Sequence, residues 1–217
     1  MADNSTLIAN ITAANTFVDF VYSKLFGLRF IMDGAATQYT EAIADDCTHG
    51  INTPCDNTCG TNCAANHHKN LYRISNQLYY GQREDHHIYV LWTNRSANTY
   101  CQELNGNHTT ASFIAGVYDH RPVIHFLQVM GGDAKERFGC MTLTLAHETA
   151  HALGMREVYN DPGHDVVRKY VCVMERFEPH YAFDFYEDII NKRAEPFCES
   201  CLAELRPLAL NKIHYGN

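Results

Sequence analysis

His147 and His151, with Glu148 between them, are the residues whose types and spacing best suit chemistry. On a helix, residues four positions apart lie on one face, one turn from each other. Two imidazoles at that spacing can bind one zinc ion, while Glu148 lies beside the ion without being a ligand. A carboxylate there can take a proton from zinc-activated water and pass it to a leaving amine. The segment therefore predicts a zinc-dependent endopeptidase.

The alternative is that these histidines have no chemical role, because the chain has 13 histidines and the pattern can arise by chance. The surrounding sequence favours the zinc site. Apolar residues recur at helical spacing from Lys135 to Leu153, after a break at Gly131-Gly132. Gly154 then permits a sharp reversal of the chain directly after the motif.

The segment resembles the metzincin clan of metallopeptidases, whose pattern is HExxHxxGxx, a third ligand, and a methionine in a tight turn beneath the metal. His147, Glu148, His151 and Gly154 match this pattern, and Met174 matches the Met-turn by distance and by its Cys-x-Met setting. The resemblance implies an α+β, metzincin-like fold. Such a fold has a mixed twisted sheet and an active-site helix above a loop-rich C-terminal subdomain that contains the Met-turn. Met174 could instead be an ordinary core methionine.

The third zinc ligand departs from the metzincin pattern. Glu157 stands where the clan usually has a histidine, in a segment similar to that of the immune-inhibitor-A-like peptidases, which carry an acidic residue there. A carboxylate is a legitimate zinc ligand. His164 is the alternative, but it requires a longer loop. Spacing favours Glu157, which could otherwise be a solvated loop carboxylate.

Cysteine is abundant in this chain, and that suggests disulfides and an oxidising compartment. Four Asn-x-Ser/Thr sequons add weak support for export. These features predict a secreted or extracellular protein, although no signal peptide is visible at the start of this sequence. The nine cysteines are Cys47, Cys55, Cys59, Cys63, Cys101, Cys140, Cys172, Cys198 and Cys201.

Cys198-x-x-Cys201, following Cys172, is similar to the archaemetzincins, which use such cysteines for a second, structural zinc. That family has another cysteine directly after its third histidine, and this chain has no equivalent. Three thiolates lack an obvious fourth ligand, so disulfides are favoured over zinc at these positions. Disulfides are also the simpler explanation for the cysteines of the loop 40–66.

We expect a single metallopeptidase domain over 1–217, with an upper lobe of about 1–154 and a lower lobe of about 155–217. The sequence shows no internal repeat and no linker. Hydrophobic periodicity predicts both element types along this domain. The predicted helices are 7–26, 69–80, 135–153 and 183–192, and the predicted strands are 28–32, 87–92, 112–117 and 122–129.

Composition limits the partners of the protein. A net charge of −8 argues against nucleic-acid binding, and no apolar run reaches the roughly 18 to 20 residues that span a bilayer. The resemblance implies a monomer that binds a protein or peptide substrate in extended conformation, added along an edge strand. Two other classes stay open. One is a binding or adhesion module on a catalytically degenerate metzincin fold, and the other is a disulfide-rich structural protein.

Overall fold

The computed structural model describes residues 4–32, 88–93, 113–115, 123–127, 133–156, 158, 161, 164, 172–175 and 179–214. The chain divides into two compact units, one of Met1–Gln38 with Gly131–Asn217 and one of Tyr39–Met130. In the first unit the described residues form four helices and no strand. These are α1 (Asn4–Phe26), α2 (Ala134–Ala152), α3 (Pro179–Ile190) and α4 (Glu199–His214).

The second unit contains a three-stranded sheet with β3 in the centre. Strand β3 pairs with β1 in parallel and with β2 in antiparallel orientation. The strands are β1 (Tyr89–Thr93), β2 (Phe113–Ala115) and β3 (Val123–Leu127). They overlap three of the predicted strands, while the predicted helix 69–80 lies outside the described residues.

Helix α1 buries one apolar face against α2. Its buried residues recur at intervals of three and four, as a one-sided helix requires. Tyr22 is fully buried on this face, and its hydroxyl donates a hydrogen bond of 2.7 Å to the carbonyl of Ala146 on α2. This bond fixes α1 directly beside the histidine motif. The face comprises Ile11, Ala14, Phe17, Val18, Val21 and Tyr22.

Helix α1 ends as predicted at Gly27, which has a left-handed φ of 73°. The predicted strand that follows is wrong, because Leu28 to Met32 form no regular secondary structure. The backbone of Phe30 bonds instead to side chains of α1. The amide of Phe30 donates to Asp19 at 2.8 Å, and its carbonyl accepts from Asn15 at 3.3 Å.

Helix α2 is the centre of this unit and carries the histidine motif. Asp133 caps its start by accepting from the amides of Lys135 and Glu136, and Glu136 returns a bond to the amide of Asp133. This capping box satisfies amides that the first turn cannot pair. Nearly every residue from Gly139 to Ala150 is buried, so neighbours cover α2 on several sides.

Helix α3 crosses α2 at Gly139 with almost no space between the two backbones. A methyl group on Gly139 would lie 2.6 Å from Cα of Phe183 and 2.8 Å from the carbonyl carbon of Ala182. Only glycine permits this approach. Ala182, Phe185 and Ile189 are buried on α3.

Helix α4 lies in the region predicted to be loop-rich. Its buried residues Cys201, Leu205 and Ala209 recur every four positions. The helix contains Pro207, which has no amide hydrogen and normally interrupts a helix. The prediction of a loop-rich region is therefore wrong for the described residues of α4.

The predicted fold class, an α+β metzincin-like domain, is wrong. In the unit that carries the motif, all regular secondary structure of the described residues is helical, and α2 packs on α1 and α3. The segment predicted to be a strand after α1 is irregular. Of the described helices, none is both long and apolar enough to cross a membrane. The single-domain assignment with two lobes stays a prediction.

We expect Gly139→Ala to lower the free energy of unfolding by about 3 kcal/mol, because the methyl group meets backbone atoms of α3 that cannot rotate away. Urea denaturation followed by circular dichroism measures this loss. Gly27→Ala is the control, since nothing lies within 4 Å of its added methyl group. Its left-handed φ should cost only about 1 kcal/mol. Equal losses in the two variants would contradict the close crossing.

Candidate functional site

The rings of His147 and His151 face each other on α2. Their Nε2 atoms lie 3.1 Å apart, at the far ends of two imidazoles that are each fixed by a backbone carbonyl. Nδ1 of His147 lies 2.9 Å from the carbonyl oxygen of Val173, and Nδ1 of His151 lies 2.8 Å from that of Met155. The helical spacing thus brings the two predicted metal ligands together.

These contacts determine which nitrogen of each ring carries the proton. A carbonyl oxygen can only accept, so each Nδ1 must donate, and each neutral ring keeps a lone pair on Nε2. Two lone pairs that face each other at 3.1 Å repel unless a cation lies between them. Two nitrogens on one tetrahedral zinc, each bound at about 2.0 to 2.1 Å, lie roughly 3.3 Å apart. The pair therefore fits a zinc ion.

The electrostatics of the site keep His147 neutral. Its side chain is 1% exposed, and burial, followed by the nearby His151, lowers its pKa to about 3. The hydrogen bond to Val173 acts in the opposite direction and only partly offsets these effects. A neutral imidazole is the form that binds metal.

Glu148 is next to His147 in the sequence, and Met174 is next to Val173, whose carbonyl contacts His147. Glu148 follows His147 on α2 and is 5% exposed, so its carboxyl group is largely removed from solvent. Met174 is fully buried in the turn that contains Val173, whose carbonyl binds His147. This methionine thus occupies a turn attached to a predicted metal ligand. The assignment of Glu148 as general base and of Met174 as a Met-turn residue stays a prediction.

The chain reverses after α2 at Gly154, as predicted. Gly154 adopts a φ of 108°, and the amide of Met155 returns to the carbonyl of Ala150 at 3.0 Å. The reversal directs the carbonyl of Met155 to His151. Glu157, the predicted third ligand, lies outside the described residues.

A second cluster unites His164 with Cys172, Cys198 and Cys201. The four ligand atoms all lie within 4.8 Å of one another, and the group can hold a metal ion. Nε2 of His164 lies 3.4 Å from Sγ of Cys198 and 3.2 Å from Sγ of Cys201. Nitrogen and sulfur on one tetrahedral zinc lie roughly 3.6 Å apart, so these distances suit such an ion. We call this group the Cys3His centre.

Backbone amides surround the sulfur of Cys172 in a way that suits a thiolate. The amides of Met174 and Cys198 each donate to this sulfur at 3.4 Å. A hydrogen bond from the Cys201 thiol is the main cause that lowers the pKa of Cys172, and the same pairing raises the pKa of Cys201. The shifts describe one thiolate stabilised by its neighbours, which is the state that metal binding requires.

The Cys3His centre corrects two predictions. The cysteines within the described part of the chain, Cys140 included, are free thiols, so the disulfides favoured at Cys172, Cys198 and Cys201 are wrong. The missing fourth donor is His164, which the sequence offers either as the alternative to Glu157 or as a ligand for another ion. Nothing in the spacing singled it out among the histidines. The remaining cysteines lie outside the described residues, and a secreted location stays a prediction.

Comparison with known proteins gives no relative for this chain. No protein-family model matches it, and neither the curated proteins nor the solved structures contain a significant match. The resemblance to metzincins therefore rests on the motif residues alone.

We expect the metal-free protein to lose stability in mildly acidic solution through His147. Its pKa is about 3 in the folded state against an ordinary 6.5, so the unfolded chain binds the additional proton between these values. The stability that comes from this difference in proton binding is fully present above pH 6.5. It is lost as the pH falls toward 3. The slope from one proton approaches about 1.4 kcal/mol per pH unit.

Urea denaturation between pH 7 and pH 4.5 with a chelator present measures this slope. The matched control is His147→Gln, whose amide can still donate to Val173 but does not titrate. Its free energy of unfolding should fall less steeply over the same range. Identical slopes for the two proteins would mean that His147 accepts a proton as readily in the folded state as in the unfolded chain.

Proposed function

We propose that this protein is a zinc-dependent peptidase in which His147 and His151 bind the metal and Glu148 is the general base. The observation that carries the proposal is the pair of Nε2 atoms 3.1 Å apart, each presented by a ring whose Nδ1 is held by a backbone carbonyl. Such carbonyl contacts are the usual second layer around a metal-binding histidine. Two buried histidines that bind no metal gain no stability from lone pairs that point at each other.

Zinc supplies Lewis acidity at this position, which acidifies water and polarises a peptide carbonyl. The protein's own contribution comes from Glu148, the residue after His147 on a buried stretch of α2. Its carboxylate takes the proton from the attacking water and delivers it to the leaving amine. Low exposure strengthens this role, because surrounding water competes less for the carboxylate.

Glu157 is the proposed third ligand of this zinc. It follows Gly154 at the distance where the related pattern has its third ligand. The alternative, His164, presents its Nε2 to the sulfurs of Cys198 and Cys201, and that atom is therefore committed to the other cluster.

We propose zinc also for the Cys3His centre, with a structural role. Three thiolates and one imidazole form a closed tetrahedral set of the kind that structural zinc sites use. The two amide hydrogen bonds to Cys172 support the proposal, because such bonds orient and stabilise a bound thiolate.

The substrate class proposed for the enzyme is protein or peptide in extended conformation.

We expect Glu148→Gln to retain zinc while losing roughly 10²- to 10⁴-fold in turnover, the range that a general base contributes. Elemental analysis measures the zinc, and release of fluorescence from a labelled protein substrate measures turnover. Glu136→Gln is the control on the same helix, since glutamine keeps the capping-box bond to Asp133. An active Glu148→Gln enzyme, or a zinc-loaded wild type that hydrolyses no peptide bond, would disprove the proposal.

Cobalt substitution tests the Cys3His centre separately. The cobalt protein should show a thiolate-to-metal charge-transfer band, because three of the proposed ligands are sulfurs. Cys201→Ser should weaken this band, and His147→Gln should leave it intact. A band that survives Cys201→Ser unchanged would show that the metal binds to other cysteines.

A further inference from the structure

The two candidate metal sites share one short segment, the buried turn Cys172–Glu175. Sγ of Cys172 belongs to the Cys3His centre, and the next residue, Val173, offers its carbonyl to Nδ1 of His147 at 2.9 Å. Cys172 and Val173 are fully buried, and His147 is 1% exposed. Cys172, a ligand of the Cys3His centre, is therefore directly followed by Val173, the residue whose carbonyl orients His147.

The position of this turn depends on the sulfur of Cys172. That sulfur accepts from the amide of Met174 and, across the chain, from the amide of Cys198. The amide of Val173 donates to the carbonyl of Pro196 at 2.7 Å, two residues before Cys198. The turn is thus held by the centre itself and by the segment that supplies another of its ligands.

A second connection runs to His151 through Met155. The amide of the following residue, Arg156, donates to Glu204 at 3.0 Å, and Glu204 lies three positions after Cys201 on α4. The guanidinium of Arg156 also pairs with Asp161, whose carbonyl accepts from the amide of His164 at 3.0 Å. These ion pairs are partly exposed, so they contribute less than the buried connection through Cys172.

We infer that Cys172 is a positioning residue for the histidine pair: a metal in the Cys3His centre fixes the Val173 carbonyl, which orients His147 for its own zinc. Filling the centre then raises the zinc affinity of the histidine pair. The inference rests on the proposed function of that pair. Partners that orient a metal ligand in this way typically change metal affinity by about 10- to 100-fold. By linkage, zinc on the histidines must also strengthen binding in the centre.

The test uses the full-length chain and measures zinc affinity, which does not require an active enzyme. One equivalent of Cd²⁺ fills the centre, because soft thiolates select this ion, and a chelator competition then gives the zinc affinity of the histidine pair. Cys198→Ser and His164→Gln each damage the centre without altering Cys172 or Val173. We expect both variants to bind zinc at the histidine pair about 10-fold or more weakly than the Cd²⁺-loaded wild type.

Cys140→Ser is the matched control, because Cys140 is a buried thiol on α2 outside the Cys3His centre. Its zinc affinity should equal that of the wild type. Circular dichroism verifies that each variant keeps its helices, and the NMR signal of the His147 Nδ1–H gives a second readout. This signal should broaden or shift in Cys198→Ser and His164→Gln, but not in Cys140→Ser.

The outcomes separate the two proposals. Equal zinc affinity in the centre variants and the wild type, with an unchanged His147 signal, would overturn the positioning role and leave the peptidase proposal intact. A wild type that binds no zinc at the histidine pair would overturn the peptidase proposal and the inference with it. Weaker zinc binding and an altered His147 signal in both folded centre variants would establish the connection.

Discussion

The hydrogen bond from His147 to the carbonyl of Val173 is the contact on which the candidate site depends. It fixes the tautomer and the direction of a ring whose surroundings exclude water. A buried imidazole without such an acceptor could present either nitrogen. The carbonyl of Met155 accepts from His151 in the same way, so both rings present Nε2 to the same point. The orientation of the two rings therefore depends on the positions of two backbone carbonyls.

The helices of the first unit maintain those backbone positions. Tyr22 bonds α1 to the carbonyl of Ala146, the residue directly before His147. Its ring also packs at 5.8 Å from Phe197, which precedes Cys198 by one position. One aromatic side chain thus contacts the helix of the histidine pair and the segment of the Cys3His centre. Burial of this tyrosine raises its pKa well above the ordinary value, so the hydroxyl remains a donor.

Local patterns in the sequence predicted the parts of this structure that depend on neighbours along the chain. The extent of α2, the reversal at Gly154 and the convergence of His147 and His151 follow from helical periodicity and one glycine. The arrangement of the Cys3His centre could not be predicted, because His164 meets Cys201 only through tertiary packing.

The fold class was wrong for a similar reason. Leu28 to Met32 have an apolar pattern that suits a strand, but Asp19 and Asn15 bind the backbone of Phe30. Helix α4 was not predicted either, and it contains Pro207, a residue that is unfavourable inside a helix.

The contact at Gly139 has a consequence for how the sequence of this protein can vary while the histidine pair keeps its position. Two helices separated by side chains can slide or rotate as those side chains are exchanged. Helices α2 and α3 meet backbone to backbone at Gly139, so no intervening layer is available to absorb such changes at this point. Repacking elsewhere in the core leaves this pivot in place, two helical turns before His147. The main-chain contact therefore gives the histidine pair a fixed reference point, and substitutions in the apolar core do not displace the pair through this crossing.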